Sequence, residues 1–333
     1  MGKEPLVSVI IPVYNGENFI LDSYKSVYNQ KLPFFEILYI DNNSIDKSVE
    51  IIKNLSLKDN NVSLLIEEKQ GAGAARNKGI FHANGDYIYF FDVDDLLIDN
   101  SLIELKKVLD FNKKIDSVFG NWIQTRDRNI KNIKNPTLET LKIEYHEAPY
   151  YGMRWFKNIS LLNGTPSFLH RKEVFDKIGL FPESITIGED ATFHIRLGLN
   201  CNLAYLDKYI YAYYRHLDST MSKVNSLYEK VLLHWPQYTK IHIPYFFKNK
   251  TPKEYKVILE KWVFVSIAKM LFLLKNKKDR QVLFEKLKKE IAPLKVPFLI
   301  DIHLKILVAT NSEFLFKLLI YYLIPNYVKF TNK

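Results

Sequence analysis

Cysteine is almost missing from this chain of 333 residues: Cys201 stands alone, so no internal disulfide braces the fold and the stability has to come from burial. No apolar run is long and unbroken enough for a spanning helix. Internal repeats and low-complexity tracts are absent too, which excludes solenoids and compositionally disordered segments. Acid is scarce in one place only. From Leu217 onward 21 lysines and arginines face 9 aspartates and glutamates, while the first 216 residues carry 26 against 28. The net charge of +10 therefore belongs wholly to the last third, and a boundary is expected there, between a unit over 1–222 and one over 223–333. What the chain has in quantity is apolar and aromatic side chains, 47% and 14%, enough to bury more than one core. The opening MGKEPLVSVIIPVYNG has an acid ahead of a short apolar run and no small-residue cleavage site, so it reads as a first strand rather than a signal peptide. Leu6 stands where a myristoylation motif starting at Gly2 needs Ser or Thr. Together with the single thiol, this leads us to expect a cytoplasmic protein.

Apolar, β-rich runs occur at 6–11 (LVSVII), 35–40 (FEILYI), 62–66 (VSLLI), 86–91 (DYIYFF) and 116–122 (DSVFGNW), and helical patterns separate the early ones. Alternation at this pitch predicts the α/β class, a mostly parallel sheet with helices on both faces. Such sheets bind ligands beyond the carboxyl ends of their strands. Those ends read PVYN, with Pro12, Tyr14 and Asn15; DNNS, with Asp41 and Asn43; EEKQGAGAARN, with Arg76; and DVDD, with Asp92, Val93, Asp94 and Asp95. QGAGAARN lacks the third glycine of a dinucleotide fingerprint and follows the third strand rather than the first, so a nicotinamide cofactor is not expected. An arginine in the first turns of a helix that opens on the crevice suits an anion such as a diphosphate. Three carboxylates within four residues repel one another, which calls for a cation or a well-solvated turn.

PVYNGENF, EILYIDNNSIDKS, QGAGAARNKGIFHANGDYIYFFDVDD, KIGLFPESITIGEDATFHIRL and YYRHLDSTMS, in this order over about residues 5–222, resemble the family 2 glycosyltransferases with the GT-A fold, a Rossmann-like α/β architecture. The resemblance stops before the last hundred or so residues. It implies that Tyr14 stacks on a nucleobase, Asp41 accepts from the base, Asp92 holds the ribose and Asp94 binds the metal, with Arg76 beside the nucleotide. Pro12, Asn15, Asn43 and Val93 complete the implied donor set. His216 would be a second protein ligand to a divalent Mn2+ or Mg2+, and Arg215 is a further candidate for the diphosphate. Asn42 stands where the family frequently has a second Asp, and Lys69 where an Asn often precedes the glycine.

The chemistry leads the same way. A leaving diphosphate needs its charge neutralised, which a hard cation on one or two carboxylates does. Asp94 is the expected ligand and Asp95 the expected cap of the helix near 96–105. Asp41 at a strand end suits the N3–H of uracil, hence UDP, although guanine also offers donors to a carboxylate. TIGEDATFHIRL puts Glu189 and Asp190 at a helix start; we expect Asp190 to take the proton of an attacking hydroxyl, with inversion at the anomeric carbon, and Glu189 to bind acceptor or donor hydroxyls. Asn163, Gly164 and Thr165 resemble the loop that shapes the sugar site, and Trp155 in YYGMRWF is either a stacking platform for sugar or a core residue. The expected activity is an inverting, metal-dependent transfer from a UDP-sugar to a glycan or lipid-linked acceptor in bacterial surface polysaccharide synthesis. A catalytically silent nucleotide-sugar-binding scaffold and a nucleotidyltransferase are the alternatives. In the basic third, WVFVSIAKMLFLLKNKK and FLFKLLIYYLIPNYVKF join dense apolar faces to edge lysines, as helices at an anionic membrane surface do and as helices packed in a core with exposed lysines also do. Acids at the strand ends and the absence of a recognised module argue against nucleic acid.

Overall fold

The run at 6–11 forms β1 (Val7–Val13), whose residues are buried on both sides as a central parallel strand requires. The computed structural model describes residues 6–130, 133, 135, 141–215 and 227–331. Contacts divide the chain into two units, Met1–Leu217 and Asp218–Lys333. In the first, β1 pairs in parallel with β2 (Phe35–Asp41) and with β4 (Tyr87–Phe90), while β3 (Val62–Ile66) adds to β2. The helices α1 (Ile20–Tyr28), α2 (Ser48–Ser56) and α3 (Ala72–His82) make the crossovers between these strands. The predicted strands and early helices are therefore present, and the sheet carries helices on both faces.

Beyond β4 the sheet becomes mixed. Its order is β3-β2-β1-β4-β8-β6-β9-β5, where β5 is Leu96–Leu97, β6 Ser117–Thr125, β8 Phe168–Arg171 and β9 Leu203–Tyr214, and β7 (Ile143–His146) also pairs with β9. Antiparallel β8 separates β4 from β6, so the fifth predicted strand is not a neighbour of the fourth. The pair β6–β9 shifts register at Gly120–Asn121, where a Cβ on Gly120 would come within 2.7 Å of the Lys208 carbonyl oxygen. The core is an aliphatic and aromatic layer that includes Val9, Ile11, Ile37, Tyr39, Leu102 and Leu105. Helix α4 (Ser101–Phe111) follows β5, and α5 (Tyr150–Lys157), α6 (Val174–Ile178) and α7 (Glu189–Asn200) complete the first unit.

The second unit is helical among its described residues. Helix α8 (Leu227–Pro236) continues through a widened π turn at Gln237–His242 into α9 (Ile243–Lys248). Helix α10 (Lys253–Leu273) is its core, with Tyr255, Leu259, Val263, Phe264, Ile267 and Leu271 buried. The apolar part of the WVFVSIAKMLFLLKNKK segment is thus packed in this core, and its KNKK end is exposed. Helix α11 (Lys277–Glu290) is polar; α12 (Phe298–Thr310) and α13 (Glu313–Leu318) follow, the latter passing through a π turn at Leu319–Leu323 into α14 (Ile324–Thr331). Pro325 has no N–H to give to the Tyr321 carbonyl, and the widened turn lets the helix run on past it.

Candidate active site at the strand ends

The crevice opens where β1 and β4 part. Their last paired residues are Ile10 and Phe90, after which Phe91 N–H reaches the Ile10 carbonyl at 3.0 Å and β4 turns away. Pro12 comes next on that side of β1, where a missing N–H costs no ladder bond. Tyr14 follows at 57% exposure with its ring free to meet a flat ligand. Asn15 takes a left-handed conformation (φ 52°), and its loop is stitched to the β2–α2 loop: Asn15 N–H donates to Ser44 Oγ at 2.9 Å, and Ile45 N–H to Asn15 Oδ1 at 2.9 Å. Gly16 N–H similarly donates to Ser48 Oγ at 2.9 Å, and a Cβ on Gly16 would press on Val93 at 3.1 Å. Val93 is therefore a packing residue under this loop.

Asp41 ends β2 almost fully buried. One carboxylate oxygen, Oδ2, accepts from Ser44 N–H at 3.3 Å, while Oδ1 is buried with no hydrogen-bond partner. A buried acceptor left open costs free energy unless a ligand completes it. The next two residues build the β3–α3 loop. Asn42 Nδ2 donates to the Glu67 and Lys69 carbonyls at 2.8 and 2.9 Å, and its Oδ1 accepts from Gly71 N–H at 2.7 Å. Asn43, at φ 67°, donates to the Glu68 carbonyl at 2.9 Å and to Gln70 Oε1 at 3.2 Å. An aspartate at 42 cannot donate, which explains why this chain departs there from the pattern it resembles. Lys69 likewise has a local role, an ion pair with Glu183 at 2.6 Å.

Arg76 joins the two halves of the site. Its Nη2 lies 3.0 Å from Asp92 Oδ1 and its Nη1 3.2 Å from Glu189 Oε1, with the guanidinium 5.4 Å from the centre of the Phe181 ring. Burial works against the guanidinium charge, yet Asp92, Glu189 and Asp190 together hold its pKa above the ordinary value. Gly73 permits this approach: a Cβ there would stand 3.4 Å from Glu189 Cγ and 3.3 Å from the Pro182 carbonyl. Arg76 is thus not the open phosphate cradle that its position in the sequence suggests. It lies buried and bridges Asp92, just beyond β4, to Glu189, at the start of α7.

The DVDD turn is pinned between β4 and β5. Asp92 is half-exposed beside Arg76, and Asp94 is partly exposed with its carbonyl accepting from Arg128 Nη1 at 3.0 Å. Asp95 is buried and accepts from Tyr214 N–H at 3.0 Å, which ties the turn to β9. It does not cap a helix: Leu96–Leu97 pair with β9 and α4 begins only at Ser101, after Asn100. Burial, then the charges of Asp92 and Asp94, push the Asp95 carboxyl well above its ordinary range, although the Tyr214 N–H and Arg128 pull the other way. Negative charge is in excess here. Among the described residues no three His, Cys, Asp or Glu side chains converge to enclose a metal ion. A hard cation that shares phosphate oxygens needs only one or two protein carboxylates, and Asp94 beside two crowded acids fits that demand. His216 lies outside the described residues. Arg128 was not foreseen from the sequence. It sits 5.2 and 4.9 Å from the Phe19 and Tyr214 ring centres and pairs with Asp22 at 3.3 Å, so it holds the carbonyl of the expected metal ligand in place.

Glu189 and Asp190 open α7 after Gly188, whose φ of 78° suits glycine. Burial and then the Asp190 charge push the Glu189 carboxyl up, against the pull of Arg76. Asp190 Oδ1 accepts from Ala191 N–H at 2.7 Å. The 163–165 loop turns inward. Asn163 Nδ2 donates to the Gly120 carbonyl, a Cβ on Gly164 would collide with Tyr211 Oη, and Thr165 is buried in a short turn against β4, β6 and β9. Thr165 is thus buried, while Asn163 stays partly exposed. Trp155, 1% exposed between Phe119, Tyr151 and Phe168, is core and presents no stacking face.

This combination of an α/β sheet, carboxylates at the ends of β2 and β4 and an acid pair at a later helix start is that of a GT-A nucleotide-sugar enzyme. The chain belongs to glycosyltransferase family 2, whose model matches residues 8–179. It is 44% identical over 108 residues to an uncharacterised glycosyltransferase of Haemophilus influenzae, a match covering 32% of this chain and 42% of that protein, so the chain spans less than half of that relative. In structure it resembles residues 1–349 of Staphylococcus aureus TarS in complex with UDP-GlcNAc, with a TM-score of 0.65 and 20% identity over 94% of this chain and 90% of that one. It also resembles the mannosyltransferase PcManGT of Pyrobaculum calidifontis in complex with GDP-Man and Mn2+, with a TM-score of 0.50 and 14% identity over 99% and 87%. At these identities the structural likeness shows the fold.

Proposed function

We propose that this glycosyltransferase transfers a sugar, with inversion, from a UDP-sugar to a hydroxyl of a glycan or lipid-linked saccharide, with a divalent Mn2+ or Mg2+ in the site, and that it serves bacterial surface polysaccharide synthesis. The observation that carries the reading is the Arg76 bridge between Asp92, just beyond β4, and Glu189, at the start of α7, together with the buried, unpartnered Oδ1 of Asp41 at the end of β2. Uracil N3–H would complete Asp41, Tyr14 would cover the base, and Asp92 would hold the ribose. Asp94 would hold the metal, with His216 as a second ligand, and the metal would neutralise the diphosphate. Glu189 is engaged by Arg76, which leaves Asp190 to accept the proton of the acceptor hydroxyl while the oxygen attacks the anomeric carbon opposite the diphosphate. UDP-sugars occur in the cytoplasm, and we place the enzyme there, peripherally on the inner membrane face. The relative crystallised with UDP-GlcNAc supports the choice of UDP; the one with GDP-Man keeps guanine as the competing outcome.

Calorimetric titration tests this reading. UDP should bind with Mn2+ and lose that binding with EDTA or in Asp94→Ala, whereas Asp190→Asn should keep donor affinity and lower turnover by about two to four orders of magnitude. Tight UDP binding that ignores EDTA, preference for GDP, or normal turnover in Asp190→Asn would each overturn the corresponding part.

A further inference from the structure

The helical unit exposes apolar side chains on the outside of helices whose inner faces are already buried. Along α12, Ile300, Leu304, Leu307 and Val308 are buried, and a solvated helix would be polar opposite them; instead Leu299 and Ile306 are exposed there beside Lys305. The helix from Glu313 to Thr331 repeats the pattern. Leu319, Ile324 and Val328 point inward, while Phe314 is 77%, Tyr321 66% and Tyr322 62% exposed, with Lys317 one turn from Phe314 and from Tyr321. Phe298, at the start of α12, is also 77% exposed. Exposed aromatics grouped in this way mark a surface that meets something apolar.

We propose that this face docks the enzyme on an anionic lipid surface, with Phe298, Phe314, Tyr321 and Tyr322 entering the headgroup region and the exposed Lys275, Lys277 and Lys278 meeting lipid phosphates. The proposal rests on the peripheral location inferred above and gives it a surface. Tyrosine suits that depth because its ring is apolar and its hydroxyl polar, and lysine stems lie along apolar surface while the ammonium stays in the headgroups. Insertion stays shallow, since among the described residues no helix is long and apolar enough to cross a membrane. Charge chooses the occupant. Lys305 and Lys317 are each paired with an acid of their own helix, Asp301 and Glu313, at 2.6 Å, so the unit's excess of 21 basic over 9 acidic residues lies beyond them; a second copy would bring two such excesses together, whereas anionic lipid supplies the opposite sign. More lysines sit nearby. Arg280 donates to the Val308 carbonyl at 2.9 Å and to the Leu274 and Lys275 carbonyls at 2.9 and 2.6 Å, which holds the exposed Lys275–Lys278 turn at the end of α12. Phe272 stacks on Phe316 at 4.2 Å and brings α13 to the same end.

The test is co-sedimentation of the full chain with phosphatidylcholine vesicles with and without phosphatidylglycerol. We expect binding to the anionic vesicles at low salt, about a tenfold loss of bound protein in Phe314→Ser/Tyr321→Ser/Tyr322→Ser, and a loss in Lys275→Glu/Lys277→Glu/Lys278→Glu that shrinks as salt rises. Circular dichroism and UDP binding should be unchanged in both variants. The proposal is overturned if the wild type stays in the supernatant at low salt, if both variants sediment like the wild type, or if light scattering shows a stable dimer that the serine variant dissolves. Failure of the wild type to bind UDP would count against the donor reading and leave the lipid result standing.

Discussion

Arg76 shows how much a single residue's role depends on what folds around it. At a helix start it reads as an anion binder, and the structure gives both of its Nη groups to carboxylates that lie 16 and 113 residues away along the chain. The acids at strand ends were legible because residue type and strand position suffice to place them. Asn42 and Arg128 were not, because each works through carbonyl oxygens, which a sequence does not label. Trp155 reads equally as a stacking platform or a core residue, and Thr165 as part of a sugar-shaping loop, because aromatic and hydroxyl side chains look alike in a core and in a site until packing decides. Asn42 gives the sharpest test at this scale. Asn42→Asp restores the residue frequent in the family, yet it sets a carboxylate against the Glu67 and Lys69 carbonyls and removes both donors. We expect a loss of about 1–3 kcal/mol in urea unfolding together with weaker donor binding as the β3–α3 loop loosens. Unchanged stability would mean that the loop is held elsewhere.

At the scale of elements, the early strands and helices were readable because hydrophobic period and crossover length agree with each other. The antiparallel β8 and the two-residue β5 carry too little period to be seen in a sequence, and they are the strands that fix the DVDD turn and the entry to α7. Helix α7 itself is positioned by a pair of glycines. A Cβ on Gly152 of α5 would come within 2.3 Å of the Leu199 backbone nitrogen, and one on Gly198 of α7 within 2.4 Å of the Gly152 nitrogen. The two helices therefore cross backbone to backbone, and the YYGMRWF segment matters for its glycine more than for its aromatics. Gly152→Ala must push α7 away. We expect a cost of about 1–3 kcal/mol from overpacking, and a fall in turnover larger than the fall in UDP affinity, because Asp190 rides on α7 while Asp41 and Tyr14 do not. A variant with the thermal stability and turnover of the wild type would show that α5 yields instead.

At the scale of the whole molecule, contacts divide the chain into the units Met1–Leu217 and Asp218–Lys333, and two buried histidines give the first of them a response to acid. His170 is fully buried next to Ser117, and burial pushes its pKa down to about 3; His194, stacked 4.1 Å from Phe168, is pushed well below the ordinary value by burial, then by His170 and Arg76. Both belong to the first unit. Unfolded, an imidazole takes a proton near pH ~6.5, while the folded protein keeps these two neutral, so the unfolded state binds more protons and stability falls as the pH drops below that value. The loss continues until the folded pKa is reached, which for His170 is about 3. Each histidine contributes up to about 1.4 kcal/mol per pH unit inside this window. Scanning calorimetry from pH 7 to pH ~5 should therefore lower the transition of the catalytic unit by about 2 kcal/mol for His170 alone, and His170→Gln, which can still bond Ser117, should flatten that slope by close to one proton. Saturating UDP with Mn2+ should raise the same transition and leave that of the helical unit where it is, because linkage acts only on the unit that binds. If His170→Gln keeps the wild-type slope, that histidine is not the group that takes up the proton.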